Sequence, residues 1–115
     1  MSEQAMAAAK NLADMQGRAE EASQLLKALG NAQRLRMLCL LVEGEMSVGE
    51  LNEHLPDLSQ SALSQHLARL RSEGLVNTRR ESQTVRYQLA PGPAERIIEV
   101  LHGIYCAKPA KVSRK

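Results

Sequence analysis

Apolar residues recur at helical spacing along most of the chain, and the breaks between the stripes divide it into elements. From about Gln4 to Ala13, alanines with Met6 and Leu12 sit among good helix formers, which predicts a first helix. Glu20 to Leu29 carries Ala22, Leu25, Leu26 and Leu29, a second helical stripe that stops at Gly30. A third helix is predicted from Ala32 to Val42. There Leu35, Leu38, Cys39 and Val42 fall at i, i+3, i+4 and i+7 and define one apolar face, and Gly44 ends it.

Polar caps mark the next two helices. Ser47, followed three residues later by Glu50, has the spacing of a capping box and opens a short helix, Val48 to Leu55, which Pro56 closes. Ser59 caps a longer one that reads on to Glu73, with Gly74 as its C-terminal signal. Leu75 to Arg80 and Thr84 to Leu89 then read as strands, with Glu81-Ser82-Gln83 as the loop of a hairpin. Pro91-Gly92-Pro93 breaks the chain before a last helix, Ala94 to about Cys106. It has Ile97, Leu101 and Ile104 on one side and Ile98 and Tyr105 beside them. The expected fold is mainly α with a small β-hairpin. A short helix, a brief turn and a longer amphipathic helix make a helix-turn-helix, and the hairpin behind it makes it winged.

The helix after Ser59 has an unusual outer face. Leu63, Leu67 and Leu70 cluster on one side with His66 at the margin, while Ser61, Gln65, Ala68 and Arg69 lie opposite, flanked by Gln60, Ser64 and Arg71. An ordinary solvent face would carry Glu and Lys pairs. This one is short, uncharged and hydrogen-bonding through two turns, with cations later and no acid before Glu73. Those properties suit a DNA major groove: Gln pairs with adenine edges, Ser contacts several bases, and Ala leaves room for a thymine methyl. Arg79, Arg80 and Arg86 cluster on the hairpin, where they are expected to reach phosphates or the minor groove and to extend a basic stripe from Arg69 and Arg71. A merely solvated polar face is the alternative. Stacking aromatics, which a reader of RNA or single strands needs, are missing.

Composition adjusts the picture at several points. The 115 residues suffice for one core, so one winged helix-turn-helix and dimerisation domain is expected over 1–107, with a basic, disordered tail over 108–115. Without Trp or Phe, the core must be built from Leu, Ile, Val, Met and Ala, and short chains with such apolar helices often complete their core by dimerising. The net charge of +2 is by itself a weak pointer to nucleic acid. No apolar run approaches the roughly 20 residues of a membrane span, and the start, MSEQAMAAAKNLADMQG, is not a secretory signal. A cytoplasmic protein without a membrane partner or a cofactor is expected.

The run LSQSALSQHLARLRSEGLVNTRRESQTVRYQL, preceded by LLKALGNAQRLRMLCLLVEGEMSVGEL, resembles the ArsR/SmtB family of winged-helix transcription regulators, and within it the HlyU, SqrR and BigR branch. The resemblance covers roughly Leu25 to Cys106. It implies a non-enzymatic regulator that dimerises through its first and last helices and binds an inverted repeat of double-stranded DNA. Other DNA-bound regulators or RNA polymerase are the further partners it implies. Gln60, Ser61, Ser64 and Gln65 match the family's recognition-helix contacts, with Ser59 and Arg69 beside them, and Arg80, Gln83 and Arg86 match the wing.

Many members of that family sense metals, and neither of their sites is intact here. Gly49-Glu50-Leu51-Asn52-Glu53 stands where a Cys-x-Cys would be, and the last helix offers Glu95, Glu99 and His102 without ligand spacing, so no metal is expected. His54 and His66 have no partner set either. Cys39 and Cys106 remain. By themselves they read more readily as buried apolar residues than as redox groups, Cys39 on an apolar stripe above all, while Cys106 at a helix end reads as partly exposed. The resemblance places both at the positions of the thiol-sensing pair of the sulfur-responsive branch. It thereby implies reversible oxidation or polysulfide bridging that ties the last helix to the helix behind the DNA-reading unit.

Two other classes compete with a thiol-responsive regulator. A metal-responsive regulator of the same fold could use His102 with Glu99 and a partner subunit. A thiol-disulfide enzyme would turn over substrate at Cys39 and Cys106, but the chain has no Cys-x-x-Cys and no βαβ pattern. A winged helix serving only as a protein adaptor would lack the steep salt dependence of DNA binding.

Overall fold

The computed structural model describes residues 2–106, so the expected tail over 108–115 lies outside the described residues. The chain divides after Gly30 into two units. The first is one helix, α1 (Glu3–Leu29), capped by Ser2, whose Oγ accepts a hydrogen bond from the Ala5 N–H at 3.0 Å. Two separate helices were expected here, and the structure joins them. Residues 14–19 contain no proline, and Gly17 keeps a negative φ. An isolated glycine costs a helix only about 1 kcal/mol relative to alanine, so nothing interrupts the backbone ladder.

The second unit follows the expected order: α2 (Ala32–Val42), α3 (Val48–His54), α4 (Gln60–Ser72), β1 (Val76–Glu81), β2 (Thr84–Leu89) and α5 (Pro93–Tyr105). The caps are those the sequence signals. Asn31 opens α2, and Ser59 Oγ accepts from the Ala62 N–H at 3.0 Å. Ser47 and Glu50 form the full capping box of α3. Pro93 stands in the first turn of α5, where its missing N–H costs nothing. Gly74, at φ 77°, lets the chain leave α4 in the left-handed conformation and turn into β1.

The strands pair antiparallel from Val76↔Leu89 to Glu81↔Thr84, leaving a loop of two residues rather than the expected three. Ser82 makes this tight closure by adopting φ 61°. Met46, in the α2–α3 connection, exchanges two backbone hydrogen bonds with Tyr87, at 3.0 and 2.8 Å, and anchors the hairpin at its root.

The core draws on every element of this unit except β2: Met37, Leu38 and Leu41 from α2, Leu51 from α3, Leu63, Leu67 and Leu70 from α4, Val76 from β1 and Ile98 from α5. Each such side chain contributes about 1.5–3 kcal/mol by leaving water. The buried side of α2 corrects the expected one. Leu38 is common to both, but Leu35, Cys39 and Val42 are only half-buried, and Met37 and Leu41 take the core positions beside a buried Arg34. The Leu35–Cys39 side of α2 looks elsewhere, into a groove.

Candidate functional site

The helix-turn-helix is held from below and open above. Leu63, Leu67 and Leu70 anchor α4 to the core, which leaves Gln60, Ser61, Ser64, Gln65, Ala68 and Arg69 exposed together on its outer side. His66 is half-buried at the margin. The Ser59 hydroxyl is spent on its cap, and Arg69 Nε bonds Glu73 Oε2 at 3.2 Å one turn on. Two interactions fix the α3–α4 turn. Asn52 Nδ2 donates to the Leu55 and Leu58 carbonyls at 3.2 and 2.7 Å. Arg36 of α2 makes a two-pronged pair with Asp57, both bonds at 2.8 Å, and also bonds Gln33 Oε1 at 2.6 Å. That guanidinium holds the Asp57 carboxyl at about 2, well below the usual carboxylate range.

The wing differs from the expected basic stripe. Strand alternation puts Arg79 and its register partner Arg86 on one side of the hairpin, and Arg80 with Val85 on the other. Arg79 Nη2 bonds Glu45 Oε1 at 2.7 Å. Arg86 is 21% exposed and bonds Glu50 Oε1 at 3.0 Å and the Glu45 carbonyl at 3.2 Å, with Glu81 at 3.8 Å. Arg79 and Arg86 depress the Glu45 pKa, while Glu50 is lowered first by the Ser47 N–H and then by Arg86. Arg80 and Gln83 are exposed, and Arg80 makes no ion pair among the described residues. Sequence reasoning missed these carboxylates because Glu45 precedes its two arginines by 34 and 41 residues, with no local pattern linking them.

A second feature lies between α2, the end of α3 and α5. It is a groove of about 630 Å³ walled by Leu35, Cys39 and Leu40 of α2, His54 and Leu55, and Leu101, Tyr105 and Cys106. Both cysteines therefore face one space, Cys39 half-buried in its wall and Cys106 exposed at the C-cap of α5. Burial pushes the Cys39 thiol up to about 11, and the neighbouring Cys106 thiol adds to the shift. Arg36 stands at the rim, so the groove touches the same residue that grips the α3–α4 turn. His102, also at the rim, bonds Glu43 Oε2 at 2.7 Å rather than Glu99. Among the described residues, no three His, Cys, Asp or Glu side chains come together as a metal would require, and no helix is long and apolar enough to cross a membrane.

This arrangement has close counterparts among known proteins. A family model described as "Bacterial regulatory protein, arsR family" matches residues 31–78, from the cap of α2 into β1. The transcriptional activator HlyU of Vibrio cholerae is 54% identical over 96 residues, which span 84% of this chain and 88% of that protein. The structure of reduced HlyU from the same organism superposes with a TM-score of 0.74 at 53% identity, covering 82% of this chain and 98% of that one. The transcriptional repressor BigR of Xylella fastidiosa superposes with a TM-score of 0.75 at 40% identity, over 89% and 97% of the two chains. These relatives are transcription regulators rather than enzymes, and this chain, with the same winged helix, belongs to the ArsR family of bacterial DNA-binding transcription regulators.

Proposed function

We propose that this regulator binds an inverted-repeat operator as a homodimer and that a reversible link between Cys39 and Cys106 weakens that binding. Gln60, Ser61, Ser64 and Gln65 read base edges in the major groove, and Ser59 and Arg69 flank them. Arg80 and Gln83 extend from the wing, which Arg86 serves at its root. The copies pair through apolar residues that one chain leaves in water. α5 exposes Val100, Ile104 and Tyr105, and α1 exposes Met6, Leu12, Met15 and Leu26. One of the named relatives is an activator and another a repressor. Occupancy of DNA is the step both outcomes share, whether it reaches RNA polymerase or another DNA-bound regulator.

The observation that carries the switch is the convergence of Cys39 and Cys106 on one groove. That a relative's structure is described as reduced HlyU supports a thiol reading. With an inorganic polysulfide as oxidant, the accessible Cys106 thiolate attacks a sulfane sulfur, and the shortened polysulfide leaves with the electron pair. The Cys39 thiolate then attacks Cys106 Sγ of that persulfide, the outer sulfur leaves with the electron pair as hydrosulfide, and a Cys39–Cys106 disulfide remains. Retained sulfurs would span a longer gap, and a dithiol reductant reverses either link. The link ties α5 to α2 beside His54 and Leu55, against the first helix of the reading unit, and so biases how α4 is presented.

Fluorescence anisotropy on the duplex upstream of the protein's own gene tests this. Binding of the reduced protein should be tight and salt-sensitive, fall after polysulfide treatment and recover with dithiothreitol. Cys39→Ser and Cys106→Ser should each abolish the response and leave reduced-state affinity nearly intact. An undiminished response in both variants would sink the proposal.

A further inference from the structure

The wing carries three arginines, and their surroundings divide them. The inner side of the hairpin brings two cations, Arg79 and Arg86, against three carboxylates, Glu45, Glu50 and Glu81, which leaves one negative charge in excess. A phosphate brought to that side would meet net negative charge and would have to displace Glu45 from a 2.7 Å bond. Arg80 points to the other side of the strand pair with no carboxylate on it among the described residues.

The carboxylates also belong to particular places. Glu45 immediately precedes Met46, which pairs with Tyr87, and Glu50 is the acceptor of the α3 capping box. Arg86 thus joins the root of the wing to the start of the helix-turn-helix through the Glu45 carbonyl and the Glu50 carboxylate at once. We infer that Arg79 and Arg86 are positioning residues, braced by Glu45 and Glu50 so that the wing is held at a fixed angle to α4, and that Arg80 is the wing's phosphate contact. This rests on the DNA-binding reading and reassigns, within it, what each wing arginine does.

The two roles give opposite signs in one experiment. The double variant Glu45→Gln with Glu50→Gln removes both charges while Gln preserves the capping-box geometry. If Arg79 and Arg86 gripped phosphate, freeing them would tighten binding and steepen its salt dependence. If they brace the wing, binding to the upstream duplex weakens about three- to tenfold while the slope of log K against log salt stays at the wild-type value. Arg80→Ala should instead lower that slope by about 1.8, the loss of one phosphate contact from each wing of the dimer. The brace has its own readout in the free protein. In the double variant, hydrogen exchange at the Met46 and Tyr87 amides should speed at least fivefold, and unchanged exchange would overturn the inference. Tighter, more salt-sensitive binding by the double variant would overturn it as well. A wild-type protein indifferent to the duplex would instead overturn the DNA reading, and the exchange measurement would still decide the brace.

Discussion

Helices α4 and α5 are both thirteen residues long, yet they distribute their side chains in opposite ways. In α4, three leucines are buried and the outer face is polar, so the helix is complete within one chain and presents hydrogen-bonding groups to its surroundings. In α5 only Ile98 is buried, while Ile104 is 63% exposed and Tyr105 79% exposed. A polar face that stays in water costs nothing and is free to read another molecule. An apolar face left in water is an unfinished core, and its stability depends on what covers it. The regulator therefore keeps its reading surface on the finished helix. Cys106, the thiol proposed to sense, stands exposed at the end of the unfinished one.

Truncations on the buried side of both helices and on the outward side of α5 separate packing from assembly. Leu63→Ala or Leu67→Ala should cost about 2–5 kcal/mol, the loss expected for a buried leucine that leaves a cavity. Ile98→Ala on α5 should cost a similar amount, and urea unfolding with far-UV dichroism reads all three. A loss below about 1 kcal/mol at Leu63 would mean that α4 is not anchored as described. On the outward side of α5, Ile104→Lys should leave the fold intact and act on assembly. The variant removes one isoleucine from each copy, forfeiting about 1.5–3 kcal/mol apiece, roughly a hundredfold or greater rise in the dimer dissociation constant. Sedimentation velocity over a concentration series measures it, and an unchanged sedimentation coefficient would place the dimer contact elsewhere.

The finished helix was also the legible one. Ser47, Glu50, Ser59 and Gly74 are local signals whose physics acts within four residues, and each holds in the structure. The stripe Leu63–Leu67–Leu70 could be read because every member is apolar and all of them face one way. On α2 the reading failed at the face. That helix is apolar on two sides, and a charged residue, Arg34, stands on the buried one. Periodicity alone could not say which side was core. The continuity of α1 was not legible because residues 14–19 hold a single large apolar side chain, Met15, beside Gly17, and no apolar stripe crosses them. The groove and the wing's carboxylates join residues far apart in sequence, and only the tertiary path from α2 through β2 to α5 brings them together.

The cysteines extend the contrast, because one belongs to each setting. Cys39 lies in the wall of a supporting helix with its thiol pushed up to about 11, and Cys106 stands exposed. Only the thiolate reacts with an alkylating agent. At pH 8 about one Cys39 in a thousand is ionised, and that fraction rises about tenfold per unit until the pKa is approached. Peptide mapping after iodoacetamide pulses should show Cys106 labelled first. It should also show Cys39 gaining about a hundredfold in rate between pH 8 and 10. Because the Cys106 thiol is among the causes of the shift, Cys106→Ser should move the Cys39 profile to lower pH. Since the fold favours the neutral Cys39 thiol, its contribution to stability is full below about pH 9 and is lost as pH rises towards 11. Equal labelling of both thiols at pH 8 would remove the distinction.

The smallest effect expected is at the α3–α4 turn, and it asks whether α4 is placed by packing or by charge. Arg36 holds Asp57 at about 2, against an ordinary value of 3.8. A lowered folded-state pKa means that the pair contributes above pH 3.8 and that its contribution disappears as pH falls through 2. Both side chains are solvent-accessible, so at neutral pH exposed pairs of this kind contribute little. Asp57→Asn should thus leave the urea midpoint at pH 7 almost unmoved, while the loss of stability between pH 4 and 2 becomes shallower than in the wild type. If instead the variant is markedly destabilised at pH 7, the ion pair and not the leucine stripe sets the pose of α4. The groove-rim residue Arg36 would then be the direct mechanical route from the cysteines to the reading helix. If the acid limb alone changes, α4 is fixed by its core contacts. A link at Cys39 and Cys106 must then act through the groove wall at Leu55, a side chain buried in the core that supports α4.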